Sequence, residues 1–483
     1  MPDTSAPVPV TPISLYVDLD GTLIKSDVSF ESLLLLLKKN LFYLALVPWW
    51  LSKGLANLKA EIAARVDVPI QHLPLNGEFW QFLEAEKLKG RRLILISASN
   101  EKLVHKVGEY LALFDEVVGS DSQLNLKAGR KLARIRELNG EAGFAYAGNA
   151  RADMPIWAAA EEVIMVNCPA ALGSDLAPPE KVQHFDAPDS TSAQLWQAMR
   201  PHQWLKNGLV FLPLLLAHQL NDPTLLAHAL LGFISFSLCA SSVYLLNDLV
   251  DLDNDRRHVS KRQRPFASGS LPLVAGLAAA PALLVAAFAV ALLLPPAFLL
   301  ILLFYWLLTS LYSLYLKRLF LVDVTVLALL YTLRIFAGAA AVSVAASHWL
   351  VAFSLCLFLG LAMVKRVTEL VNRTQANGDD SASLDGRAYR GSHLELLTTV
   401  GTIASGLAVL VFVLYANDPA TRELYASPRL LWLICPLLIV LLTRTWRFAR
   451  SGELHEDPLI FAITDHLSQA LVAVCGVIIW LAI

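Results

Sequence analysis

Three carboxylates are spaced so that they could act together. Asp248, Asp251 and Asp255 stand at i, i+3 and i+7 of the segment Asn247-Asp248-Leu249-Val250-Asp251-Leu252-Asp253-Asn254-Asp255-Arg256-Arg257-His258, so a helix would carry all three on one face. Like charges at that distance repel one another and lose hydration unless a cation compensates them. Mg²⁺ suits such a set, because this hard ion keeps several waters and binds a few carboxylates together with substrate phosphates. A second acidic group, Asp18-Leu19-Asp20-Gly21-Thr22, follows directly on the apolar run Ile13-Ser14-Leu15-Tyr16-Val17, which reads as a buried strand.

The elements that position these groups differ in kind. A chain of 483 residues has room for two or three domains. Apolar residues make up 56% and charged ones 17%, with the excess confined to residues 205–483, whereas residues 1–200 have an ordinary soluble composition. The net charge of −2 averages two unlike halves, and no basic, aromatic-interleaved face points to nucleic acid. Cys168, Cys239, Cys356, Cys435 and Cys475 are scattered without C-x-x-C spacing, which implies neither a metal site nor a disulfide framework. Residues 1–12 lack the basic and apolar regions of a signal peptide, so the soluble part is expected to begin and stay in the cytoplasm.

A helix needs about 20 apolar residues to cross a bilayer. Candidates run near 225–246, 272–294, 297–316, 321–345, 348–364, 396–416 and 459–483, with weaker ones at 205–221 and 429–446, so nine spans are expected. Alternate loops carry Arg200 and Lys206; Arg256, Arg257, Lys261, Arg262 and Arg264; Lys317 and Arg318; Lys365, Arg366, Arg373, Arg387 and Arg390; and Arg444, Arg447 and Arg450. The opposite loops hold only Arg422 and Arg429, and a bias of seventeen to two puts the basic loops in the cytoplasm.

The N-D-x-x-D-x-x-x-D pattern at the end of a second span resembles the UbiA superfamily of intramembrane prenyltransferases, over roughly residues 200–483. That resemblance makes Asn247, Asp248, Asp251 and Asp255 a Mg²⁺–diphosphate site. The flanking residues look like the decaprenyl-phosphate phosphoribosyltransferase branch, understood to join phosphoribosyl diphosphate to a polyprenyl phosphate. They are Lys206 and Asn207 before the first span; Arg256, His258, Lys261 and Arg264 after the carboxylates; Tyr312 and Lys317; and Asp323 and Arg334 within the fifth span. Where aromatic prenyltransferases of the family carry a second acidic motif, this chain has Lys365, Arg366 and Glu369; Asp379, Asp380 and Asp385 come later, in a polar stretch. Fixed cations beside one acidic cluster fit a site that holds several phosphates. Arg334, a charge within a span, calls for a partner, either a phosphate or Asp323. His455-Glu456-Asp457-Pro458, Asp465 and His466 either orient phosphates or mark a helix start.

The strand followed by D-x-D-G-T resembles the haloacid dehalogenase superfamily. The resemblance makes Asp18 a nucleophile and Asp20 the acid that protonates the leaving oxygen. Thr22 belongs to the same motif, Ser97 at the end of Arg92–Ser97 would hold a phosphate oxygen, and Lys127 would neutralise the phosphoryl group. Asn149, in place of the usual acid, and Asp153 would complete a second Mg²⁺ site with Asp18 and Asp20. Residues 28–90 would be a helical cap, whose apolar runs Leu33–Leu37 and Leu41–Leu51 suit either a hairpin on the membrane surface or an apolar cap core.

The expected fold class is an N-terminal α/β doubly wound haloacid dehalogenase-like domain with a helical cap, followed by an all-α, UbiA-like domain of about nine transmembrane helices. The expected boundaries are 1–170 for the first domain, 171–196 for a linker and 197–483 for the second. Fusion suggests sequential chemistry at the cytoplasmic face of an inner membrane: transfer of 5-phosphoribose to a polyprenyl phosphate, then removal of the 5-phosphate. The alternative is an aromatic-acceptor prenyltransferase using a polyprenyl diphosphate, with a degenerate, regulatory N-terminal domain. A homo-oligomer stays open.

Overall fold

The structure, a computed structural model, describes residues 13–168, 172, 181–185, 190–377, 387–454 and 457–483. Asp379, Asp380, Asp385, His455 and Glu456, and half of the expected linker, lie outside the described residues. The chain divides into two compact units, one of residues 1–199 and 244–280 and the other of residues 200–243 and 281–483.

In the first unit, strands β1 (Ser14–Val17), β2 (Leu93–Asn100), β3 (Glu116–Ser120), β4 (Phe144–Gly148), β5 (Glu162–Val166) and β6 (Val182–Phe185) form one sheet in the order β3-β2-β1-β4-β5-β6. Every pairing is parallel, with Leu15 opposite Leu93 on one side and Ala145 on the other. Strand side chains alternate between faces, and both faces are buried. Leu15, Val17, Leu93, Leu95, Ala145 and Ala147 enter one core, while Tyr16, Ile94, Ile96, Tyr146, Val163 and Met165 enter the other. That two-sided burial explains why β1 and β4 read as continuous apolar runs.

Between β1 and β2 lie α1 (Val28–Lys39), α2 (Tyr43–Ser52), α3 (Leu55–Ala63) and α4 (Gly77–Leu88). Asp27 caps α1 by accepting from the backbone N–H of Ser29 at 2.8 Å and Phe30 at 3.1 Å. The face of α2 formed by Tyr43, Val47 and Trp50 turns inward, with Trp50 against Leu36 and Ile62. After the insertion come α5 (Glu101–Leu111), α6 (Gly129–Asn139), α7 (Met154–Trp157) and α8 (Thr191–Met199).

The remaining helices are α9 (Leu212–Leu216), α10 (Pro223–Val250), α11 (Leu252–Arg257), α12 (Leu273–Ala291), α13 (Pro296–Leu314), α14 (Val322–Ala341), α15 (His348–Asn377), α16 (Leu394–Asn417), α17 (Pro419–Leu424), α18 (Ile434–Ser451), α19 (Pro458–Thr464) and α20 (His466–Ala482). Residues 244–280, from the end of α10 to the middle of α12, belong to the first unit. There Gly269, at φ +77°, packs so closely on Lys25 that a Cβ would lie 2.5 Å from the lysine Cβ. In the second unit, Gly338 of α14 meets the backbone of Val210, and a Cβ there would stand 2.0 Å from its carbonyl oxygen.

The expected fold class needs correction. Among the described residues seven helices, not nine, are long and apolar enough to cross a membrane. The segment expected at 205–221 folds as a 3₁₀ helix over Pro201–Phe211 followed by the five-residue α9. The one expected at 459–483 breaks at Asp465, which caps α20 and pairs with Arg444, so that α20 keeps only 17 residues. In the N-terminal half the observed feature is a small parallel sheet, and a haloacid dehalogenase-like fold is not shown. D-x-D-G-T dictates a turn after one strand but not how the other strands connect.

Two candidate acidic sites

The sheet order reverses direction beside β1, between β2 and β4, and the carboxyl ends of strands at such a point form a natural crevice. Asp18 leaves β1 there, with one oxygen accepting from the Leu19 N–H at 2.8 Å and the other 2.8 Å from the Lys131 ammonium. Asp20 accepts from the hydroxyls of Ser97 at 3.1 Å and Ser99 at 2.6 Å, and from the Val28 N–H at 2.8 Å. Lys131 also donates to the Tyr146 hydroxyl at 3.0 Å, which donates to Asp153 at 2.9 Å. The other Asp153 oxygen accepts from the N–H groups of Asn149 and Ala150. Gly21, at φ +75°, lies against the Asn149 amide, and a Cβ would stand 1.9 Å from its nitrogen. The Thr22 hydroxyl is buried with no hydrogen-bond partner among the described residues.

Burial pushes the Asp18 carboxyl up to about 7, against the opposing pull of Lys131 and with Asp153 and Asp20 adding to the rise. Asp20 rises to about 6, again chiefly through burial, with Asp27 contributing. The donors gathered at the crevice are hard oxygens, the kind that Mg²⁺ takes. Lys127 is exposed; Lys131, one helical turn further on, makes the contact with Asp18. Lys59 of α3 donates to the Ala98 carbonyl at 2.6 Å, and burial lowers its ammonium pKa while Asp20 and Asp27 raise it. Sequence reasoning passed over Lys131, Ser99, Tyr146 and Lys59. Only Lys131 carried a signal, its place in the first turn of α6, which starts at Gly129.

The second acidic group sits where α10 ends and α11 begins. The helix is interrupted at Asp251, yet the bonds from Asp251 N to Asn247 O and from Asp255 N to Asp251 O, both 2.9 Å, keep the register. Asp248 and Asp255, both buried, meet at the Arg264 guanidinium, 3.1 and 2.7 Å away. Burial raises the Asp255 carboxyl, with Arg264 opposing and Asp248 adding to the rise. The oxygens of Asp248 and Asp255 are of the hard kind that Mg²⁺ takes, and in this structure the Arg264 guanidinium bridges them. Asn247 and Asp251 are half-buried, while His258 and Lys261 are exposed. Among the described residues no three carboxylate, imidazole or thiolate side chains converge closely enough to hold a metal ion. Arg256 is engaged elsewhere. Its guanidinium makes two bonds to Glu31 of α1, at 2.6 and 2.8 Å, and a third to the Ala267 carbonyl.

The second unit holds two further clusters. Lys206 and Lys365 both contact Asp457, at 2.8 and 2.9 Å, and Tyr331 donates to the same carboxylate. Asp457 also accepts from the Leu459 N–H and so caps α19. Nearby, Arg334 donates to Asn207 at 2.9 Å and Tyr305 at 3.2 Å, while Asn207 donates to Ser237. In the other cluster Asp323, fully buried, accepts from Tyr312 at 2.8 Å and pairs with Arg366 at 2.5 Å and Arg387 at 3.4 Å. Arg366 also pairs with Glu369 at 2.5 Å. Asp323 therefore partners Arg366, and Arg334 is held by neutral groups and by the rings of Phe236, Tyr305 and Tyr331. Lys317 is half-buried in the loop after α13.

The model of the UbiA prenyltransferase family matches residues 208–464. An uncharacterized protein of Sinorhizobium fredii is 35% identical over 94% of this chain and 88% of its own length, so the likeness takes in the N-terminal half. A decaprenyl-phosphate phosphoribosyltransferase of Mycobacterium tuberculosis is 29% identical over 59% of this chain and 92% of its own length. A solved UbiA homolog from Archaeoglobus fulgidus, bound to GPP and Mg²⁺, is 18% identical with a TM-score of 0.45, covering 59% of this chain and 99% of that one. With its apolar helices, the chain is a multi-pass membrane protein. It belongs to the UbiA prenyltransferase family.

Proposed function

We propose that this enzyme transfers 5-phosphoribose from phosphoribosyl diphosphate to a polyprenyl phosphate, and that its N-terminal acidic site then removes the 5-phosphate. In this reading residues 1–170 carry the phosphatase site, 171–196 the linker and 197–483 the transferase, with both sites on the cytoplasmic side of the inner membrane. The convergence of Lys206 and Lys365 on Asp457 carries the reading. Two ammonium groups on one carboxylate leave positive charge over, which suits a site that must hold several phosphates. The 29% identity to a protein named for phosphoribosyl transfer to decaprenyl phosphate supports it.

In the transfer, the ribose C1–O bond to diphosphate breaks and a lipid phosphate oxygen bonds to C1. Asn247, Asp248, Asp251 and Asp255 would hold Mg²⁺, which when bound neutralises the departing diphosphate. Within the second unit, Lys206, Lys365 and Arg334 offer fixed positive charge to phosphates, and Asn207 accepts from Arg334. A phosphate monoester is already anionic near neutral pH, so the nucleophile needs no general base.

At the N-terminal site an Asp18 oxygen attacks phosphorus and the ribose 5-oxygen leaves with a proton from Asp20. Water then releases phosphate from the aspartyl group. Lys131 balances charge at Asp18, and Ser97 and Ser99 hold Asp20 in place.

The test uses the full-length protein with radiolabelled phosphoribosyl diphosphate, a polyprenyl phosphate and Mg²⁺. Label should enter the lipid fraction, vanish in Asp248→Asn, and accumulate as a 5-phosphorylated lipid in Asp18→Asn. An unlabelled lipid fraction under all conditions would overturn the transferase reading and turn the search to aromatic acceptors. Identical lipid products from wild type and Asp18→Asn would overturn the phosphatase step alone.

A further inference from the structure

The helical insertion between β1 and β2 carries an apolar surface that nothing in its own unit covers. Leu41, Phe42, Leu44, Trp49, Leu51 and Leu55 are all exposed, Phe42 to 85%. A helix that rests on a protein core in water turns polar residues outward. α2 instead buries Trp50, with Tyr43 and Val47 half-buried on the same face, and presents leucine and tryptophan on the other. Contiguous exposed apolar surface of this kind marks an interaction site.

The charge around the patch says what it meets. Lys38 and Lys39 close α1 just before it, and Lys53, stacked on the Trp49 ring at 4.7 Å, closes α2. Beside the patch lies a cleft of about 460 Å³ bordered by Lys39, Arg65 and Lys102 and by one acid, Asp67. The Arg65 guanidinium lies 4.9 Å above the ring of Trp50, the inward anchor of α2, so patch and cleft form one surface. The acids at this edge are Glu61, paired with Arg65, and Asp67, paired with Lys106. The surface is therefore apolar at its centre and basic at its rim, complementary to anionic lipid headgroups over an acyl layer.

The same element is tied to the segment that follows helix α10. Glu31, in the first turn of α1, is bound at both oxygens by Arg256, six residues beyond the end of the spanning helix α10. From that anchor the rest of α1, Glu31 to Lys39, extends about 12 Å toward the patch.

We propose that α2 and its flanking residues lie in the interface of an anionic bilayer, with a lipid phosphate seated at the cleft of Lys39, Arg65 and Lys102. The surface stands apart from either reaction, and so does its test. A photoreactive p-benzoylphenylalanine replaces Phe42 in the full-length protein, reconstituted in phosphatidylcholine nanodiscs with or without phosphatidylglycerol. Leu300, exposed on α13, serves as the lipid-facing control. Position 42 should form lipid adducts, more of them with phosphatidylglycerol. Lys39→Gln and Lys102→Gln should each reduce that gain, by up to about fivefold per lysine. Adducts at 300 but none at 42, or cross-linked dimers through 42, would overturn the proposal. Lipid adducts at 42 with a phosphatidylglycerol gain untouched by the lysine variants would overturn the headgroup site.

Discussion

Asp18 has its charge balanced by Lys131 at 2.8 Å, in surroundings that push its carboxyl up to about 7. A phosphoryl group arriving there would meet the same ammonium. Lys131→Met should therefore lower release of the 5-phosphate by about 100-fold, the usual loss when one fixed charge-stabilising donor is removed. Lys127→Met, at an exposed position, should cost less than about tenfold. Phosphate release from the lipid product measures both, and the reverse ranking would return the role to Lys127. Gly21 offers a steric test of the same loop. Its φ of +75° and the 1.9 Å approach to Asn149 leave no room for a methyl group. Gly21→Ala should displace Asn149, costing about 1–3 kcal/mol in thermal unfolding together with phosphatase activity.

Among the elements, the join between α1 and α11 is the most exacting. Glu31 and Arg256 are 4% and 6% exposed at the side chain, and Ser26 also donates to Glu31. Removing one partner leaves a buried charge alone, so Glu31→Ala and Arg256→Ala should each destabilise by about 3–5 kcal/mol. The double variant should cost clearly less than the sum, since each single change already breaks the pair. Thermal melts of the four proteins in detergent give the coupling directly, and strict additivity would show that the pair is not a unit. This join also changes how Arg256 is read. Its spacing beside the carboxylates suggests a phosphate ligand, but its side chain is engaged by a helix 225 residues away. Helix α15 shows a similar effect, because Arg366 points at buried Asp323 and Glu369 while its neighbour Lys365 points at Asp457.

For the whole molecule, the uneven distribution of lysine and arginine predicts sidedness. An impermeant thiol reagent applied to intact cells should label Glu423→Cys, in the short helix α17, and should leave Arg257→Cys unlabelled until the membrane is opened. Labelling of Arg257→Cys from outside would invert the proposed topology. Composition and spacing by themselves determined that the chain crosses a membrane, that a carboxylate series closes the α10 segment, and that an apolar strand runs into an acidic loop. Each of these is a local property: hydropathy over a window, or residues three to seven apart on one helix. The number of spanning helices was less legible, because a 3₁₀ stretch at Pro201–Phe211 and the capping of α20 by Asp465 depend on neighbours as well as on hydropathy. Tertiary structure alone decided which charge meets which. It paired Lys131 with Asp18, Glu31 with Arg256, Lys206 and Lys365 with Asp457, and Arg366 with Asp323. The physical reason is that burial makes an unpaired charge costly, so partners are selected by proximity in the folded chain, which sequence spacing does not encode.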